Sequence, residues 1–238
     1  VLDAIDVGYR LFDTAAVYGN EAAVGEAIAE AIAMGKVKRE DLFITSKLWV
    51  QDMNAYDVDE GIDQSLRNLG LEYIDLYLLH QAMGDYFSAW RGLEQAYRDG
   101  RLMDIGVSNF YPNVLTNFCE NVDIKPAVNQ IELHPYFQQP DALDTMKYYD
   151  VLPEAWAPLG GGRYSPFEEK LLQDIAETHD KTVGQVVLRW NIQRGVVVIP
   201  KTTHKERMIE NINVWDFELS QDEMESISTL DLGYGGSR

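Results

Sequence analysis

The chain has 238 residues, 46% of them hydrophobic, enough for one large domain with a substantial core. It carries 39 acidic against 20 basic side chains, a formal net charge of −19, and such a field repels nucleic acid and anionic membrane surfaces. A single cysteine, Cys119, excludes an internal disulfide and suits a reducing, cytoplasmic setting; no apolar stretch reaches the roughly 18 residues of a membrane span, and none reads as a signal peptide.

In chain order, residues 1–7 read as the last turns of a helix closed by Gly8, which predicts that the chain starts inside an element and that the natural polypeptide is longer at its beginning. A strand over 9–14 follows. A helix then starts after a cap at Asn20, with Val24, Ala27, Ile28 and Ala31 on its apolar stripe. The run Phe43-Ile44-Thr45-Ser46-Lys47 is a second strand. Further stripes at Ile62, Leu66 and Leu69 and at Trp90, Leu93 and Tyr97 mark two helices, closed by Gly70 and Gly100 before strands over 71–80 and 101–109. Strands are expected over 126–133, 154–159 and 196–200, the last following Gly195. Its run Val196-Val197-Val198-Ile199 reads as buried on both faces. A capping box of Ser220 with Glu223 opens a final helix.

Seven strands alternate with helices and no linker divides them, so residues 1–238 read as one domain. Strict alternation suits either an open doubly wound sheet or a barrel. The open sheet announces its nucleotide site with G-x-G-x-x-G, which Gly160-Gly161-Gly162 does not match, since the sixth position is Ser165. A parallel (β/α)8 TIM-type barrel, its first strand missing from this chain, accounts better for the count.

Three strand ends carry residues suited to chemistry. They are Asp13 with Tyr18 just beyond, Lys47, and His80. Each has a bland reading: Tyr18 as a rim residue, Lys47 as a solvated charge, His80 as a core imidazole, Asp13 as a turn cap. Yet all four fall on one expected face in three successive units, the face of a barrel where catalytic groups gather. A phenol beside an ammonium and an imidazole can deliver a proton to a carbonyl oxygen. Farther on, Lys201-Thr202-Thr203-His204-Lys205-Glu206-Arg207 places cations and hydroxyls after a strand and before a helix start, a grouping that suits a phosphate.

The motifs Asp13-Thr14-Ala15-x-x-Tyr18-Gly19, Thr45-Ser46-Lys47-Leu48-Trp49, Asp75-Leu76-Tyr77-Leu78-Leu79-His80, Gly106-Val107-Ser108-Asn109-Phe110 and Ile199-Pro200-Lys201-Thr202 resemble, in order and over nearly the whole chain, those of the aldo-keto reductase family. The text at 79–81 and 190–195 is most similar to the bacterial branch that includes the diketogluconate reductases. The resemblance implies hydride transfer between NADPH/NADP+ and a carbonyl carbon inside an eight-stranded barrel, in a monomer acting on small molecules. It makes Tyr18 the proton donor, Lys47 the cation that favours phenolate, Asp13 the partner of Lys47, and His80 the group orienting the substrate oxygen. The implied cofactor residues are Ser108, Asn109 and Gln130 at the nicotinamide carboxamide, Trp156 under the ring with Pro158 and Leu159 following. Lys201, Thr202, Thr203 and Arg207 would lie at the ribose phosphate, and Glu210 and Asn211 at the adenine.

The chain departs from the pattern in places. The glycine-threonine motif of the first strand is absent from it. Gln81 stands where many relatives have tryptophan, which implies a more polar substrate, and Ala157 replaces a serine that often bonds the pyrophosphate. Little chain follows for a C-terminal specificity loop, so Trp49 is expected to line the pocket. Two other readings compete: a nucleotide-sensing subunit with little turnover, and a glycoside hydrolase using Asp13 and Glu132. The hydrolase leaves Lys47, Tyr18 and the basic cluster without a task. No metal is expected, because His80, His134, His179 and His204 are scattered and no H-E-x-x-H occurs.

Overall fold

The computed structural model describes residues 1–161 and 164–237; Gly162 of the triple-glycine run and the last residue, Arg238, lie outside the described residues. The chain forms two compact units, Val1–Asn129 with Tyr148–Val151, and Gln130–Lys147 with Leu152–Arg238.

The first unit runs α1 (Leu2–Val7), β1 (Leu11–Asp13), α2 (Glu21–Ala33), β2 (Phe43–Leu48), α3 (Val58–Leu69), β3 (Ile74–Leu79), α4 (Tyr86–Arg98), β4 (Leu102–Ser108) and α5 (Pro112–Cys119). The short α1 ends at Gly8, whose φ of 116° only glycine adopts without strain; its N–H returns to the carbonyl of Ala4 at 3.1 Å. β1 to β4 pair in parallel, each with the next in the chain. Their register places the chemistry. Asp13 lies opposite Thr45, Lys47 follows two residues later on the same side of β2, and the N–H of His80 bonds the carbonyl of Leu48 at 3.1 Å. The side chains of Asp13, Lys47 and His80 therefore leave neighbouring strands at the same end.

Two helix stripes differ from expectation. On α2 the buried line is Glu21, Gly25, Ile28 and Ala31, with Val24 and Ala27 only half-buried. The cause is close approach: α2 lies directly on the backbone of α3, and only the hydrogen of Gly25 fits against Leu69. On α4 the buried residues are Ala89, Trp90, Leu93, Glu94 and Ala96, while Tyr97 is exposed. The small Ala96 follows Leu93 by three residues into the core, and Tyr97 turns its larger ring outward. Asn20 stands at the N-cap of α2, yet its side chain makes no capping bond.

β5 (Val128–Glu132) and α6 (Pro140–Tyr149) lead into the elements of the second unit, which are β6 (Leu152–Trp156), α7 (Lys170–His179), α8 (Val183–Gln193), β7 (Val197–Val198), α9 (Lys205–Ile212) and α10 (Gln221–Ser228). β6 begins and ends earlier than expected. The chain leaves the strand at Ala157, whose φ is 48°, and Pro158 has no N–H to continue a ladder. The N–H of Gly160 closes that turn on the carbonyl of Ala157 at 2.8 Å. β7 is only two residues long and half-buried, which corrects the expectation of a strand covered on both faces. It pairs in parallel with β6 alone among the described residues, so its other flank adds no cover. The core of this unit joins Leu172 and Ile175 of α7, Val186, Val187 and Trp190 of α8, and Leu219 and Ile227. α10 opens with the expected reciprocal bonds between Ser220 and Glu223.

Candidate active site

In the first unit one buried ammonium organises the site. Lys47 is wholly buried; its Nζ donates to Oδ1 of Asp13 at 2.5 Å and to the carbonyl of Thr14 at 2.9 Å. A lysine alone in such surroundings would be too costly to keep charged, and a carboxylate with a carbonyl compensates it. The Tyr18 ring lies with its centroid 5.2 Å from the same ammonium. Tyr18 closes a short helical turn over Ala16–Tyr18 and is about half exposed.

His80 packs edge-on against two rings, Tyr18 at 5.6 Å between centroids and Trp49 at 5.0 Å. Burial, with the Lys47 charge adding to it, pushes its pKa down to about 4. At neutral pH the imidazole is uncharged, able to donate one hydrogen bond without acting as a strong acid. Its Nδ1 is buried and makes no hydrogen bond. Among the described residues no protein group fixes the tautomer through that nitrogen.

This shift carries a pH dependence. An unfolded histidine titrates near 6.5, so between about pH 6.5 and 4 the unfolded chain takes up a proton that folded His80 refuses. That contribution to stability is complete above pH 6.5 and is lost as pH falls through 4. Thermal melts across this range are expected to fall less steeply for His80→Asn than for the wild type; identical slopes would contradict the burial argument.

The neighbouring strand ends bring further groups. Asn109, with φ of 61°, donates from Nδ2 to the carbonyl of His80 at 3.2 Å and to Oγ of Ser108 at 3.1 Å, and Ser108 is itself buried. Gln81 is half-buried just past His80. Two contacts escaped sequence reasoning. The carbonyl of Thr14 is the second acceptor of Lys47, and the Thr14 hydroxyl donates to Oδ1 of Asn20 at 2.6 Å. Neither carries a local signal, since both depend on how the 14–20 loop folds back.

The remaining expected residues belong to the second unit. Gln130 is buried and donates to the Glu154 carboxylate at 2.5 Å; Trp156 is half-buried at the end of β6, and Pro158 and Leu159 occupy the turn after it. The 201–207 stretch is largely exposed and leads into α9 with His204 as its first cap. Among the described residues neither Lys201 nor Arg207 makes an ion pair, in a chain with 39 acidic side chains to choose from. Such cations are suited to an anion from outside the chain. Thr202 accepts the N–H of His204 at 3.1 Å. Glu210 receives the Thr182 hydroxyl at 2.6 Å, which ties it to the start of α8, and Asn211 is buried beside it in sequence.

The site thus joins a buried lysine paired with an aspartate, a tyrosine ring over the ammonium and a neutral histidine alongside, and comparison with known proteins places the chain in a family. The sequence profile described as "Aldo/keto reductase family" matches residues 1–231. A glyoxal reductase of Bacillus subtilis is 45% identical over 228 residues, covering 95% of this chain and 80% of its own. The methylglyoxal reductase DkgA of Escherichia coli O157:H7 is 42% identical over 233 residues, covering 97% of this chain and 82% of its own. A crystal structure of a Bombyx mori aldo-keto reductase in complex with NADP superposes with a TM-score of 0.93 at 38% identity, over 97% of this chain and 81% of that one. The chain belongs to the aldo/keto reductase family and has its α/β, TIM-type barrel fold.

Proposed function

We propose that the protein is an NADPH-dependent oxidoreductase that reduces aldehydes and ketones to alcohols. The observation that carries this reading is the wholly buried Lys47 ammonium, bonded to Asp13 and lying 5.2 Å from the Tyr18 ring centroid. NADPH, when bound, supplies the hydride to the carbonyl carbon. Everything else falls to this chain's own side chains.

Tyr18 gives its phenolic proton to the carbonyl oxygen as that oxygen gains charge. The Lys47 ammonium favours the negative charge left on the phenol oxygen, and Asp13 with the Thr14 carbonyl keeps the ammonium in place. Neutral His80 donates to the substrate oxygen and fixes its direction, with Trp49 beside it and Gln81 next in sequence as pocket residues. For the cofactor, Lys201, Thr202, Thr203 and Arg207 take the ribose phosphate, and Glu210 and Asn211 the adenine. Ser108, Asn109 and Gln130 take the carboxamide, Trp156 takes the nicotinamide ring, and Pro158 and Leu159 line the turn that follows. Lys201 and Arg207, which make no ion pair among the described residues, support the preference for NADPH.

We place this activity in the cytoplasm, in one domain over 1–238 working as a monomer on small molecules, away from nucleic acid and membranes. The net charge of −19 supports that choice. So does Cys119, buried and with its thiol pushed up to about 11 by burial, which has no oxidative partner in the chain. No helix among the described residues is long and apolar enough to cross a membrane.

The test is Tyr18→Phe. Removing a general acid lowers rates by roughly 10²–10⁴-fold, so NADPH consumption over a panel of glyoxals, aldehydes, ketoses and diketo acids is expected to drop by that order. NADPH binding, followed by fluorescence, stays unchanged. Near-normal turnover in the variant would exclude Tyr18 as proton donor.

A further inference from the structure

The loop that presents Tyr18 is closed by a side-chain clasp. It leaves β1 at Thr14 and re-enters regular structure at Asn20, one residue before α2. Asparagine at this position is suited to capping the helix, and the exposed Asn20 has the N-cap place without the N-cap bond. Its Oδ1 instead accepts the hydroxyl proton of Thr14 at 2.6 Å, across six residues. Thr14 is almost completely buried and held on two more sides: its N–H bonds the Thr45 carbonyl at 2.9 Å, and its own carbonyl receives the Lys47 ammonium at 2.9 Å. Within the loop two backbone closures help, Tyr18 N–H to Ala15 and Gly19 N–H to Ala16, at 3.0 and 3.2 Å.

The next residue fastens the other side. Glu21 is buried, accepts a hydrogen bond from the Ser46 hydroxyl at 2.6 Å, and accepts another from Nδ2 of Asn68 at 3.0 Å. Ser46 directly precedes Lys47. Thus both ends of the Tyr18 loop are tied to the two strands that hold Asp13 and Lys47.

From this geometry we infer that Asn20 is a positioning residue for the reaction: its bond to Thr14 sets the distance between the Tyr18 phenol and the Lys47 ammonium. The inference rests on the proposed carbonyl reduction, because it concerns the proton that Tyr18 delivers. Tyr18 itself is half exposed; its ring has His80 edge-on and the Lys47 ammonium beside it, and the backbone that carries it is set by the loop. A displacement of about 1 Å of a reacting group can lower a rate by roughly a hundredfold.

Two substitutions separate positioning from capping. Serine caps helices about as well as asparagine, but its hydroxyl is one bond short of the Thr14 contact. Aspartate keeps an acceptor at the same reach. Asn20→Ser is expected to lower kcat by roughly ten- to a hundredfold with KM for NADPH and the melting temperature near wild type, and to raise the solvent deuterium isotope effect on kcat as proton delivery becomes limiting. Asn20→Asp is expected to retain most of the turnover, with the isotope effect of the wild type. Thr14→Val should reproduce Asn20→Ser, and the double variant should be no worse than either single one.

Full turnover and an unaltered isotope effect in Asn20→Ser, with the wild type active, overturn this inference and leave the proposed function standing. So does equal loss in Asn20→Ser and Asn20→Asp. A wild-type protein that consumes no NADPH with any carbonyl overturns the proposed function, and this inference with it.

Discussion

Lys47→Met is expected to lose about 3–5 kcal/mol of stability, because it breaks a largely buried ion pair by removing its wholly buried cation. For a chain of this size that corresponds to a fall in melting temperature of roughly 6–20 °C. Turnover is expected to drop by roughly 10²–10³-fold or more, the usual consequence of deleting a charge aimed at a transition state. The two effects separate in a double variant. Asp13→Leu with Lys47→Met removes both charges and is expected to recover much of the melting temperature, since a packed apolar pair replaces a buried ionic one with little loss. It recovers no turnover. A single Lys47→Met variant that melts with the wild type would mean that the ion pair with Asp13 adds nothing net to folding.

Gly25→Ala tests the packing beneath the site. In an isolated helix this change stabilises by about 1 kcal/mol, so propensity alone predicts a gain. Here a methyl at residue 25 would stand 2.2 Å from the carbonyl oxygen of Leu69 and 2.6 Å from its carbon. Both are backbone atoms that cannot swing aside, so α2 must shift away from α3. Overpacking of this kind costs about 1–3 kcal/mol or more, and a net loss of about that size is expected. Urea denaturation reads it as a lower midpoint at unchanged slope. The sign decides: a more stable variant would show that α2 and α3 are not in backbone contact. Because α2 starts directly after the Tyr18 loop, a shifted α2 should also lower kcat.

Much of this was legible in the chain. Strands and helices alternate with terminal glycines, so the parallel α/β class follows from local signals. Asp13, Lys47 and His80 each end an apolar run, and parallel strands bring such ends to one side. The family motifs then gave Tyr18 its expected role. The basic stretch at 201–207 stood out because it follows a strand in a chain that is acidic overall.

Other features depended on distant partners. The burial of Gly25 in place of Val24 answers to Leu69, more than forty residues away, and no periodicity in α2 encodes it. The early end of β6 rests on the backbone conformation of Ala157, and the partial exposure of β7 on its having one neighbouring strand among the described residues. The neutral state of His80 follows from its burial and the Lys47 charge, neither visible in the histidine's own sequence context. Asn20 shows the division most clearly. Its residue type and place before α2 announce a helix cap, because capping is a matter of a few consecutive residues. That its oxygen instead holds Thr14 is decided only when β1 and β2 pair and draw Thr14 into the interior, since a hydrogen bond goes to whichever donor the folded chain brings within reach.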